Sequence, residues 1–207
     1  EMSDAQVAAS LKTGSPAVPL PAPPIDIRVV PLVGLPFCAL AVAFVIYAIG
    51  SNSMWALMFS HVAGGGLWTG VDLYVGLILG PIIGRMSIPA RTEFSARFMP
   101  KMVLLMPTVV MMTLAAGFQI AIDYQRLMPD NINRPWLIAS MVVVGVMAVV
   151  ALGILEPANI GVLLEMKKPE PDGRVIEHLM KRFVYTAGIT GVMQIATLVI
   201  MTRVATQ

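Results

Sequence analysis

Five stretches of this chain run for twenty or so residues with almost no charge, and that feature decides what it can fold into. They cover Val29–Ile49, Met54 to about Gly80, Met102–Ile122, Trp136–Leu155 and roughly Leu179–Met201. A hydrocarbon layer is crossed by roughly 20 apolar residues in an α-helix, because in lipid each segment must pair its own N–H and C=O groups. The expected fold is all-α, a polytopic transmembrane helix bundle with one span per run. Composition agrees: 57% of the 207 residues are hydrophobic and 13% charged. A soluble domain carries about a quarter charged residues, so a soluble enzyme is excluded.

Residues 1–28 are of a different kind. Pro16, Pro19, Pro21, Pro23 and Pro24 lie among Ala, Val, Ser and Leu, a density that blocks helix and favours an extended arm. The arm reads as a disordered tail or as a strap on a partner subunit, and it lacks the basic and apolar regions of a secretory signal. The second run, at 1.5 Å per residue, is about 40 Å long and should tilt or protrude, with Pro81 bending or ending it.

Lys and Arg placement gives the expected orientation. Arg85, Arg91, Arg97 and Lys101 follow the second run, Lys167, Lys168, Arg174, Lys181 and Arg182 follow the fourth, and Lys12 and Arg28 precede the first. Only Arg126, Arg134 and Arg203 fall on the other side. This puts the N-terminus in the cytoplasm and sets Trp55 and Trp136 at the outer interface, where indoles prefer to lie. The net charge of +2 leaves no footprint for nucleic acid, and the single Cys38 cannot build a disulfide framework or a Cys-based metal centre.

The second run carries the chemistry. His61 and Asp72 are ionisable groups inside lipid, and at 100° per residue His61, Trp68 and Asp72 fall within about 40° of one another. Gly66 with Gly70, Gly76 with Gly80 and Gly80 with Gly84 are spaced for close helix packing. His61 is expected about 10 Å below the outer helix end, with Asp72 about 16 Å deeper. The same counting puts Gln119, Ser140, Gln194, Met58, Met141 and Met193 at the depth of His61, able to line one cavity. It leaves Asp72 with Glu156, His178 and the basic loop ends.

His61 is thus a candidate haem or metal ligand, with Trp68 packing on the bound group and Met58 or Met193 as a soft second ligand. The sixteen methionines bring in copper, since thioethers suit Cu(I), but Met also fills apolar bundles. His178, at the opposite end of the bundle, cannot share an iron with His61. A lone transmembrane His also serves as a helix–helix hydrogen-bond partner, and Asp72 can pair with an interface Arg or sit protonated.

His61, Trp68 and Gly70, followed by a basic loop and a helix holding Pro107 and Gly117, resemble the superfamily of HemJ-type protoporphyrinogen oxidases and CopD-type copper-resistance proteins. The resemblance covers about a third of the chain. It implies a haem b linked to His61. The family's intramembrane Lys has no counterpart, because Trp136–Leu155 contains no basic residue.

Two functions fit these residues. One is an integral membrane redox or metal-handling protein of the bacterial inner (cytoplasmic) membrane. It would hold haem b or copper at His61, exchange electrons with a quinone or membrane partner, and offer a proton path through Asp72 and Glu156. The alternative is an accessory subunit of a respiratory, photosynthetic or oxygenase complex, without its own cofactor. Expected partners are the lipid bilayer and other membrane subunits, or further copies in a homo-oligomer. A transporter using Asp72 is a third class, but the chain shows no inverted repeat.

Overall fold

The computed structural model describes residues 30–124 and 127–206. The Pro-rich arm expected over residues 1–28 lies outside the described residues. Among them there is no strand, and all five expected spans are helices long and apolar enough to cross a membrane. The protein is an integral membrane helix bundle.

A short 3-10 turn at Leu32–Gly34 leads into α1, Leu35–Gly50. The others are α2 (Met54–Arg85), α3 (Ile88–Asp123), α4 (Arg134–Met166) and α5 (Gly173–Ala205). Asn52 turns the chain from α1 to α2 in the left-handed region, φ 52°, which Asn tolerates better than most residues. Ser53 and Asp172 accept from the first-turn N–H groups of Ala56 and Arg174 and so start α2 and α5.

From α2 onward the helices outrun the apolar runs. α3 begins at Ile88 instead of Met102, and α5 spans Gly173–Ala205 instead of Leu179–Met201. An apolar run records membrane thickness, whereas a helix continues until a cap or turn stops it. Prolines do not end them. α2 passes Pro81 by opening into π-helix over Tyr74–Leu79, and α4 does the same over Ala151–Leu155 ahead of Pro157. The wider turn makes room for a ring that would otherwise strike the carbonyl four residues back.

α2, α3, α4 and α5 form a ring in which α2 packs on α3, α3 on the last third of α4, α4 along α5, and α5 back on α2. α1 lies outside against α2 and α3. Of the glycines expected to mediate packing, Gly76 and Gly80 do so, against Gly188 and Val184 of α5. Gly66, Gly70 and Gly84 face open space.

One of the basic residues that follow the second run does not lie in a loop. Arg91 is buried near the start of α3. Its Nε donates to the Ile83 carbonyl at 3.2 Å and Nη2 to that of Met86 at 3.1 Å, tying down the end of α2. Nη1 stands 3.0 Å from Glu177 of α5, a contact of charges more than a directed hydrogen bond. Arg91→Ala strands these carbonyls. It is expected to remove about 2–4 kcal/mol, read as a lowered unfolding midpoint in detergent, with Arg91→Lys recovering only part because it lacks the fork.

Candidate functional site

The stripe on α2 meets a different neighbour at each level. Asp72 is buried against α5, where Thr190 and Gln194, one helical turn apart, present their side chains together. Asp72 Oδ2 accepts from Trp68 Nε1 at 3.0 Å, Thr190 Oγ1 at 2.9 Å and Gln194 Nε2 at 2.9 Å. Three donors on one oxygen make a fully engaged acceptor that ties α2 to α5.

This corrects the expected company of Asp72. Gln194 belongs to Asp72, not to the level of His61. Its depth was counted from Met201, but α5 continues to Ala205, so Gln194 lies about 6 Å deeper than that count allows. Thr190 was missed altogether. The signal was present as Thr190 and Gln194, four residues apart, with Thr197 the other polar side chain between Gly188 and Ile200.

His61 turns toward α3. Its Nδ1 lies 2.8 Å from the Thr113 carbonyl oxygen, which can only accept, so Nδ1 is the donor and, in the neutral ring, Nε2 keeps a lone pair. The ring rests on Gly117, where a Cβ would come 2.6 Å from the imidazole Cε1. Only glycine leaves that space.

The outer cavity expected around His61 does not assemble from the residues assigned to it. Gln119 is half-buried and donates to Asp123 at 2.9 Å. Ser140 is buried on the part of α4 that packs along α5. Met58 lies on the exposed face of α2 beside Trp55 and Phe59, whose rings stack at 5.5 Å. Met193 is half-buried against the core cluster that contains Trp68, and Met141 is half-buried on α4. His178 is exposed near the start of α5, at the end of the ring opposite His61. Among the described residues, no three of His, Cys, Asp and Glu gather as they would around a metal ion.

Trp68 joins the buried cluster to Glu156. Its indole N–H points at Asp72, and the same side chain walls a hollow of about 30 Å³ together with Met106 and Pro107 of α3 and Leu152, Leu155 and Glu156 of α4. Glu156 is half-buried and takes a hydrogen bond from Asn159, one turn on. One indole thus hydrogen-bonds Asp72 and lines a hollow with Glu156.

Compared with known proteins, the chain matches no family model, and no curated protein or solved structure is significantly similar to it.

Proposed function

We propose that this chain is a redox or metal-handling protein of the bacterial cytoplasmic membrane, with its N-terminus on the cytoplasmic side and a haem b held at His61. The observation that carries this reading is the state of His61. Its Nδ1–H is taken by a backbone carbonyl and its Nε2 lone pair is left over, the arrangement in which imidazoles bind metal. Haem fits better than copper, because Met58 and Met193 lie on different faces of the bundle and offer no shared thioether set. The residues that carry the resemblance also meet in pairs, His61 with Gly117 and Trp68 with Pro107.

Haem bound there would be held by His61 and would supply one-electron chemistry. A second protein ligand would come from a second copy or a partner subunit, since His178 is at the far end. We extend the proposal no further than haem binding and electron exchange with a membrane partner. Without the intramembrane Lys, protoporphyrinogen oxidation has no residue here to rest on.

The test is the visible absorption spectrum and metal content of the purified protein. A Soret band is expected in wild type and in His178→Ala, lost in His61→Ala and shifted in Gly117→Ala, whose methyl displaces the ring. A colourless, metal-free wild type, stable only with co-purifying subunits, would overturn it in favour of an accessory subunit.

A further inference from the structure

The backbone of α4 leaves an oxygen that nothing in the helix can pair. Within the π segment the Glu156 N–H donates to the Ala151 carbonyl alone, five residues back. The carbonyl of Leu152 should then receive the N–H of residue 157, but that residue is Pro157 and has none. Leu152 and Glu156 border the same hollow of about 30 Å³. The residues that carry the unpaired carbonyl and the carboxyl therefore border one small space within a membrane span, where an unpaired backbone oxygen carries a large penalty.

We propose that the hollow holds one water molecule, donating to the Leu152 carbonyl and to Glu156, and that Glu156 exchanges a proton with it. The volume admits one water and excludes a lipid headgroup or a cofactor ring. Two oxygens fall well short of the six or so that a hard cation gathers. In loading, hydronium in the hollow gives its proton to the carboxylate. One O–H bond breaks on the hydronium and one forms on the carboxyl, leaving water and a neutral acid; unloading is the reverse.

The surroundings favour such exchange. α3 contributes Met106 and Pro107 to the wall, α2 contributes Trp68, and α5 contributes nothing, so Glu156 is the titratable group on that wall among the described residues. The other carboxyl linked to this wall is Asp72, which accepts from the Trp68 indole N–H. α3 packs on α4 along Glu156–Met166, while Arg134–Val150 lies against α5, so the hollow sits where α3 and α4 part. The inference does not depend on a haem at His61 and can fail separately from it.

The test uses the full chain in liposomes with dicyclohexylcarbodiimide, which dissolves in the bilayer and couples to protonated carboxyls. Peptide mass analysis should find the adduct on Glu156 and none at that position in Glu156→Gln. Above its midpoint the labelling rate should fall roughly tenfold per pH unit. Infrared spectra should show the protonated Glu156 band shifting at once in D2O. In Pro157→Ala, which returns an N–H to the Leu152 carbonyl, that exchange should be at least about tenfold slower, because the backbone now fills the role of the water. Absence of the adduct between about pH 5 and about pH 9, a rate that ignores pH, or protection by sodium would each overturn the proposal. These labelling results come from wild type and stand even if Pro157→Ala does not fold.

Discussion

Asp72→Ala is expected to destabilise the bundle by about 3–5 kcal/mol. The substitution removes the oxygen on which Trp68, Thr190 and Gln194 converge. Thr190 keeps an outlet, since its hydroxyl also lies 3.1 Å from the Thr186 carbonyl and 3.0 Å from that of Ala187. Among the described residues, the Trp68 indole N–H and the Gln194 amide N–H have no second partner. Each stranded buried donor costs about 1–3 kcal/mol, and the lost side-chain volume adds to it. Asp72→Asn keeps a carbonyl oxygen in the same place and should lose about 1 kcal/mol. Unfolding midpoints in one detergent would separate the two. Equal midpoints for Asp72→Ala and wild type would mean that the cluster does not hold α2 to α5.

Gly76→Ala should be nearly as damaging, at about 3 kcal/mol, for a steric reason. The new methyl would overlap the Cα and N of Gly188 on α5. Both sides of that contact are backbone, so neither can rotate away, and the helices must separate where the Asp72 cluster also joins them. Gly66→Ala is the control: nothing lies within 4 Å of the added methyl, and the higher helix propensity of Ala makes it neutral or slightly stabilising. Thermal midpoints and the monodisperse fraction on gel filtration measure both. A Gly76→Ala protein as stable as Gly66→Ala would show that α2 and α5 do not touch there.

The two glycines show where sequence reasoning stops. Gly66 and Gly76 belong to the same kind of four-residue pair on one helix, and spacing cannot distinguish them. One faces open space and the other a second backbone because α5 crosses α2 at the level of Gly76. The stripe behaves likewise. Helical period places His61, Trp68 and Asp72 on one side of α2, but it cannot say that His61 meets a carbonyl of α3 while Asp72 meets a Thr and a Gln of α5. Arg91 read as one of several loop cations, and its burial follows from the sharp turn between α2 and α3 that puts it beneath the last carbonyls of α2.

The sequence by itself determined the membrane, the number of spans and the helix bearing the ionisable groups. Those properties depend on local hydrophobicity and on a backbone that lipid forces to pair within each segment. The tertiary structure alone decided which polar groups meet across helices and where the prolines open the backbone. Those outcomes depend on how far each helix continues past its apolar run and on the level at which two helices cross, and no single segment encodes either.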